Sequence, residues 1–184
     1  MSADDGDRKP VEGLVGRPFG EGLRIGIAAG LFNRRISRLL VEGARRTLET
    51  AGVAPADIVV AWAPGAFELP LVAQALADAG CDAVVCLGAV IRGETTHYDF
   101  VAGECAAGIR QVSLEAELPV IFGVLTTENL DQALARSGGP NGHKGEEAAR
   151  AALEMVDLLR RIEPAPSPTA QPDEGPSGPR LYQA

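Results

Sequence analysis

The chain contains four apolar runs of strand length, which alternate with stretches of helical periodicity. The runs cover residues 23–29, 57–63, 82–91 and 119–126. Strands that are apolar at nearly every position are buried on both faces, which is typical of a parallel sheet with helices on each side. The pattern therefore predicts an α/β domain of three layers, built on a central parallel sheet of four strands joined by right-handed crossovers.

Apolar residues between these runs recur at the spacing of amphipathic helices. The predicted helices cover about 33–51, 67–79, 98–117, 127–136 and 144–162. Asn33 and either Thr127 or Asn129 are the expected N-caps, and residues 137–142 form a kinked linker. The last helix is expected to bury Ala148, Ala152, Met155, Val156, Leu159 and Ile162.

The two ends of the chain lack this pattern. Residues 1–22 are rich in glycine, proline and charge and are interpreted as a flexible extension. Within them, residues 11–15 are a candidate for an extra edge strand that is donated to a neighbouring subunit. Residues 163–184 hold six prolines and no apolar period, which indicates a disordered tail. The folded domain is thus expected at 23–162.

Composition excludes several classes of protein. The net charge of −8 and the absence of a basic, aromatic-interleaved patch argue against binding to nucleic acid. No apolar run reaches the roughly eighteen residues of a membrane span, and a polar start with three aspartates is unlike a secretory signal. The three cysteines lack CxxC spacing, so we expect free buried thiols in the cytoplasm and no metal site.

The stretch richest in chemistry is residues 88–100, where the third apolar run ends in a glycine, two threonines and a histidine. Open α/β sheets bind ligands at such strand-to-helix turns. The backbone N–H groups of the turn and the helix dipole favour an anion, most often phosphate. His97 lies beside that turn, and an imidazole can move protons near neutral pH. The alternative is an ordinary loop in which Thr95 caps a helix and the histidine is incidental.

The other strand-to-helix connections should meet this loop at the carboxyl edge of the sheet. The four connections are residues 30–33, 64–68, 91–97 and 126–128. Phe32 is either a stacking platform for a heteroaromatic ring or a residue of the core or of a hydrophobic staple. Glu68 either binds ligand hydroxyls or only complements a helix dipole. Arg136 is either a phosphate clamp or a solvated residue at a helix end, and Phe122 within the fourth strand is by default a core residue.

Two nucleotide motifs are absent. No GxGxxG follows any predicted strand, so we expect no dinucleotide cofactor. Lys144 does not belong to a phosphate-binding P-loop, because His143 and Gly145 stand where glycine and a hydroxyl residue are needed.

Several segments resemble the 6,7-dimethyl-8-ribityllumazine synthase family, in order and with similar spacing. They are Phe32-Asn33, PGAFELP at 64–70, GAVIRGETTHYD at 88–99, PVIFGVLTTE at 119–128 and Lys144-Gly145-Glu146. The resemblance implies a flavodoxin-like fold and a transferase of riboflavin biosynthesis. Such an enzyme condenses 5-amino-6-(D-ribitylamino)uracil with 3,4-dihydroxy-2-butanone 4-phosphate, releasing phosphate and water, and uses no metal or redox cofactor.

The resemblance also implies roles for the ring-binding residues. Phe32 would stack on the pyrimidine, the segment after the second strand would hold the ribityl chain and ring, and the end of the third strand would line the ring pocket through backbone groups. The residues concerned are Phe32, Ala66, Phe67, Glu68, Ala89, Val90 and Ile91.

A second implied set handles the phosphate and the protons. Glu94 and Thr95 would hold the butanone phosphate, with Arg136 as the countercharge. His97 would transfer protons. Phe122 of a neighbouring subunit would close the site.

The implied assembly is a homo-oligomer built from pentamers with active sites between subunits, extending in some members to shells of sixty subunits. Riboflavin synthase is a candidate partner. The linker at 138–143 departs from the usual family version, which leaves the role of Lys144 open. Three other functions compete: a flavin- or lumazine-binding protein without catalysis, a shell protein that encloses a partner enzyme, and a flavodoxin-like electron carrier.

Overall fold

The computed structural model describes residues 12–162. Its strands are β1 (Ile25–Gly30), β2 (Ile58–Ala63), β3 (Ala83–Ile91), β4 (Val120–Thr127), β5 (Ser137–Gly139) and β6 (Gly142–His143). Its helices are α1 (Arg34–Thr50), α2 (Leu69–Asp78), α3 (His97–Glu115), α4 (Leu130–Ala135) and α5 (Lys144–Arg161). A 3-10 turn at Pro55–Asp57 leads into β2.

The central sheet has four parallel strands in the order β2-β1-β3-β4. This confirms the predicted α/β fold with a four-stranded parallel sheet. The β1 and β3 strands occupy the middle and are almost wholly buried, as their continuous apolar sequences require. The edge strand β2 carries the single tryptophan, Trp62, in register with Ala29 and 39% exposed.

Helices cover both faces of the sheet, so the domain has three layers. One face packs against α1 and α5, through a cluster that includes Ile27, Leu40 and Leu153. The other face packs against α2 and α3, with Leu69 and Ile109 at its centre. Because the loops after β1, β2 and β3 leave the sheet at one edge, this packing fixes where they meet.

The buried face of α5 differs from the prediction. Ala148, Ala152 and Val156 are buried as expected, but Met155, Leu159 and Ile162 are exposed and Leu153 is buried instead. The buried stripe follows a 145, 148, 149, 152, 153, 156 pattern. Two apolar stripes run along this helix, and the chain itself buries only one of them.

The predicted kinked linker is a short antiparallel hairpin of β5 and β6. The ring of His143 lies directly against Gly43 of α1, where any Cβ would overlap it, and against Gly138 of the hairpin. The His143 Nδ1 atom is buried and has no hydrogen-bond partner among the described residues. The imidazole therefore acts as a wedge between α1 and the hairpin.

The N-terminal arm runs along α5 without forming a strand between residues 12 and 24. The backbone N–H of Arg17 donates to Asp157 at 2.9 Å, and Arg161 donates to the Val15 carbonyl at 2.6 Å. Residues 12–15, the described part of the candidate edge strand at 11–15, thus form no strand within this chain. Residues 1–11 and the proposed tail at 163–184 lie outside the described residues.

All three cysteines are free and buried. Burial raises the pKa of the Cys105 thiol to about 11 and that of Cys86 further still, with the neighbouring Cys105 adding to the effect on Cys86. No helix in the described part of the chain has the length and apolar character to cross a membrane.

Candidate active site

A cavity of about 400 Å³ opens at the carboxyl edge of the sheet. Its wall comes from three connections, those that follow β1, β2 and β3, together with the start of α3. The lining residues are Phe32, Pro64, Gly65, Ala66, Phe67, Glu68, Ala89, Val90, Ile91, Gly93, Thr95, His97, Tyr98 and Val101. All the sequence-predicted site residues therefore line this cavity except Glu94, Phe122 and Arg136.

Phe32 stands at the rim of the cavity with 74% of its surface exposed, so the core-packing interpretation is wrong. Its backbone N–H donates to the Pro64 carbonyl at 3.0 Å, and that of Leu31 donates to Ala63 at 2.8 Å. These bonds hold the connection after β1 against the end of β2. The ring is an exposed apolar surface on a fixed backbone, as a stacking platform needs.

Asn33 ties the rim to the cavity wall. It adopts a left-handed conformation with φ of 56°, which asparagine tolerates better than most residues. Its side chain does not cap α1 as predicted, because Nδ2 donates to the carbonyl of Ala89 on β3 at 2.9 Å. One side chain thus fixes both the turn that carries Phe32 and the end of the central strand.

The connection after β2 is closed by its own carboxylate. Glu68 Oε2 accepts from the backbone N–H of Gly65 at 3.0 Å. A Cβ on Gly65 would lie 3.2 Å from that oxygen, so a larger residue would require the carboxylate to shift. Glu68 is exposed at the cavity wall, and it still has acceptor capacity for ligand hydroxyl groups.

The end of β3 forms the deepest part of the wall. Ala89 and Val90 are 4% and 8% exposed. Residues 93–96 form an exposed loop after Arg92, and they make few hydrogen bonds of their own. The N–H of His97 approaches Thr95 Oγ1 at 3.4 Å, and that of Asp99 donates to Thr96 at 3.0 Å. Helix α3 starts at His97, so its positive dipole end faces the loop.

Three predicted residues lie away from the cavity wall. Glu94 is exposed on the loop, and its side chain does not line the cavity. Phe122 is 39% exposed on the edge strand β4 and lines a separate groove beside Leu114 of α3. Arg136 follows α4, where its Nη1 donates to the Gln132 carbonyl at 3.1 Å. The fourth connection, 126–128, also lines no part of this cavity.

The wall carries no lysine or arginine among the described residues. Lys144 pairs with Glu147, and its backbone N–H donates to the Arg136 carbonyl at 2.8 Å. In residues 12–162 no group of three or more His, Cys, Asp or Glu is placed to hold a metal ion.

Sequence reasoning missed several residues of the site. Tyr98 and Val101 complete the wall from the first turns of α3. The spacing of His97 and Val101, four residues apart on one helix, was the available signal. Arg92 was also overlooked, although it contacts three elements around the loop. Nothing local in the sequence marks the bond from Asn33 to Ala89, because it joins residues 56 positions apart.

A three-layer α/β fold with its cavity at the carboxyl edge of a parallel sheet defines a flavodoxin-like protein that takes a small-molecule ligand. An aromatic rim and a helix N-terminus in the wall suit a flat ring and an anion. The sequence model described as 6,7-dimethyl-8-ribityllumazine synthase matches residues 22–160. The chain belongs to this family.

Individual relatives agree with the family match. The chain is 52% identical to the 6,7-dimethyl-8-ribityllumazine synthase of one strain of Thermus thermophilus over 143 residues, which cover 77% of this chain and 91% of the relative. The protein of a second strain of the same organism matches to the same extent. The protein of the same name from Protochlamydia amoebophila is also 52% identical, over 140 residues that cover 76% of this chain and 81% of the relative.

Proposed function

We propose that this protein condenses 5-amino-6-(D-ribitylamino)uracil with 3,4-dihydroxy-2-butanone 4-phosphate to give 6,7-dimethyl-8-ribityllumazine. This is the penultimate step of riboflavin biosynthesis. Family membership over residues 22–160 supports the reaction. The observation that carries it is the single cavity that Phe32, Glu68, Thr95 and His97 share, because ring stacking, hydroxyl binding, anion capture and proton transfer must act on one bound pair.

The connections after β1 and β2 suit the pyrimidine and its ribityl chain. Phe32 offers its exposed face to the ring. The Glu68 carboxylate can accept hydrogen bonds from ribityl hydroxyls while Gly65 holds it in place. Ala66 and Phe67 line the wall between them. The backbone of Ala89, Val90 and Ile91 supplies the polar groups at the closed end of the ring pocket.

The loop at 93–96 and the start of α3 suit the phosphate and the proton transfers. The free backbone N–H groups of the loop, which contains Glu94 and Thr95, and the Thr95 hydroxyl bind the phosphate. The positive end of the α3 dipole stabilises its charge. The amine attacks the ketone to form an imine and release water, and phosphate leaves by elimination to give an enol that becomes a second ketone. The ribityl nitrogen attacks this carbonyl and closes the second ring with loss of another water. Each step moves protons, and His97 lies in the wall where it can accept and return them.

We infer that the working site lies between subunits of a homo-oligomer built from pentamers. Phe122 and Arg136 are outside the cavity of their own chain. The groove that contains Phe122 is bordered by Ile109 and Leu114. An exposed apolar groove beside an edge strand is typical of a protein interface. A neighbouring copy would bring Phe122 over the pyrimidine and Arg136 to the phosphate.

The reaction is tested by incubating the purified protein with both substrates and following lumazine fluorescence and phosphate release. We expect both signals, and neither when one substrate is omitted. Tight binding of lumazine without turnover would instead favour the non-catalytic binding protein. Purification without bound flavin would dismiss the electron carrier.

The shared site is tested by complementation between two chains of reduced activity. His97→Ala and Arg136→Ala variants, unfolded and reassembled together, should regain part of the activity, because some sites would receive both intact residues. Equal activity before and after mixing would place both residues in one subunit's site. Light scattering of the native particle separates pentamers from larger shells.

The setting of the enzyme forms part of the same proposal. We place it in the cytoplasm, with riboflavin synthase, which consumes the product, as a candidate partner. We assign catalysis to residues 23–162 and none to the segments 1–22 and 163–184. A chain truncated to 23–162 should keep its turnover rate, and loss of activity in a folded oligomer would contradict this division.

A further inference from the structure

We propose that Arg92 is a positioning residue, which holds the loop at 93–96 closed so that Thr95 and His97 face the cavity. This inference rests on the proposed function, since it concerns the loop assigned to phosphate and proton transfer. Arg92 does not itself line the cavity. It therefore acts through the loop and not on the substrate.

The Arg92 side chain joins the two ends of the loop. Arg92 directly follows β3, and Asp99 lies in the first turn of α3. Nη2 is 3.1 Å from Asp99 Oδ1, and Nη1 is 3.4 Å from Oδ2. The guanidinium carbon also lies 4.1 Å from the centroid of the Tyr98 ring. A forked ion pair with a stacked ring fixes orientation as well as distance.

A third contact ties the same residue to β4. The Arg92 Nε is 2.9 Å from Glu128 Oε2, and the Arg92 backbone N–H donates to the Thr127 carbonyl at 2.9 Å. The guanidinium thus bridges the ends of β3 and β4 and the first turn of α3. This explains how the fourth connection serves the site without lining the cavity.

The loop at 93–96 needs support from outside because its own residues make few packing contacts and hydrogen bonds. Its residues are exposed, and no atom lies within 4 Å of a Cβ built on Gly93. Ordering such a backbone costs conformational entropy. One exposed ion pair contributes little, but Arg92 combines two carboxylates and a stacked ring in one rigid fork.

The charge balance argues against a direct contact between Arg92 and phosphate. Hydrogen bonds to Asp99 and Glu128 raise the pKa of Arg92 and engage its guanidinium. The two carboxylates outnumber the single cation, so the cluster as a whole carries a negative charge. Such a cluster is suited to holding backbone in place and unsuited to binding an anion.

The test compares variants on both sides of the ion pair. Arg92→Lys keeps the charge and loses the fork, while Asp99→Asn removes the acceptor. We expect kcat/KM for the phosphorylated substrate to fall roughly tenfold in each, with a higher KM in both. Glu128→Gln should act in the same direction. Arg45→Lys, which alters an exposed arginine paired with Glu49 on α1, is the matched control and should be neutral.

The Asp99→Asn result separates positioning from direct binding. If Arg92 bound the phosphate, removal of the competing carboxylate would lower the KM. If Arg92 holds the loop, the same substitution raises it. A lower KM would therefore overturn the proposal, as would full activity of Arg92→Lys.

Hydrogen exchange gives a readout that does not depend on activity. The hydrogen-bonded amides of residues 92 and 99, at the two ends of the loop, should exchange about tenfold faster in Arg92→Lys and Asp99→Asn than in the native protein or in Arg45→Lys. Unchanged exchange would overturn the positioning role. If the native protein is inactive with both substrates but the exchange differences between the variants are found, the proposed reaction is overturned and the positioning role of Arg92 stands.

Discussion

The connections after β1, β2 and β3 and the connection after β4 are built differently. The first three converge on one cavity, with Phe32, Glu68 and His97 in its wall. The last leads through α4 and a hairpin, and it carries Arg136 away from that wall. One chain therefore holds most of an apolar pocket and a helix N-terminus, while Arg136, the arginine proposed to bind the phosphate, does not line that pocket.

This division has an electrostatic consequence. The cavity wall offers the anion backbone N–H groups and a helix dipole but no lysine or arginine among the described residues. A phosphate dianion would gain more from a planar, forked guanidinium. If a second subunit completes the phosphate-binding site, catalysis depends on assembly of the oligomer. Binding of the pyrimidine ring depends on assembly less than binding of the phosphate does.

The largest effect should follow removal of the imidazole in the cavity wall. We expect His97→Ala to lower kcat by roughly 100-fold, the usual contribution of general acid–base catalysis, while positioning of the two substrates preserves the rest. Steady-state kinetics across pH measure it. Complete inactivity with an intact fold would mean that His97 does more than transfer protons.

Removal of the cation outside the cavity should act on binding. Arg136→Ala should raise the KM of the phosphorylated substrate about tenfold or more and change the affinity for the pyrimidine little, because hydrogen bonds to charged groups contribute about 1.5–3 kcal/mol. Arg161→Ala is a matched control, since that arginine also donates to a backbone carbonyl. An unchanged KM would remove Arg136 from the site.

A smaller effect is expected where the hairpin meets α1. Gly43→Ala forces a methyl group into the His143 ring, which should reduce the free energy of unfolding by about 1–3 kcal/mol. Denaturant titration measures the loss. In the His143→Ala background the same change should cost nothing further, because the overlapping ring is gone. An equal loss in both backgrounds would show that His143 is not the obstacle.

The last effect is confined to alkaline pH and concerns a group that belongs to neither region. Burial raises the pKa of Cys105 from 9.0 to about 11, so its contribution to stability is complete below pH 9 and is lost as the pH rises toward 11. The loss is at most about 3 kcal/mol. Urea unfolding at pH 8 and 11 should show a smaller decrease for Cys105→Ala than for the native chain. Equal decreases in the free energy of unfolding of the two proteins would show that Cys105 does not cause this pH dependence.

The fold could be predicted because its signals are local. Continuous apolar strands such as β3 require burial on both faces, and helical periods between them complete the layers. The clustering of Phe32 with His97 followed from the rule that parallel strands end at one edge. By contrast, the buried face of α5 could not be chosen from two apolar stripes on one helix.

Contacts between distant residues were beyond sequence reasoning. Asparagine is a residue type that is preferred at N-caps, as Asn33 was predicted to be. Only the folded chain places the Ala89 carbonyl within reach of its side chain. The resemblance to a family suggested a role for Arg136, yet it did not indicate that this residue would lie outside the cavity of its own chain. The hairpin in the glycine- and proline-rich linker was likewise not predicted, and one of its residues, His143, packs against the distant Gly43 of α1.

The exposed indole on β2 has one more consequence. Trp62 is the single tryptophan of the chain and precedes the cavity-wall residue Pro64 by two positions. Intrinsic emission at indole wavelengths therefore originates two residues before the cavity wall. A conjugated bicyclic product that absorbs at those wavelengths would quench this emission by energy transfer, so occupancy can be titrated optically in the unlabelled protein.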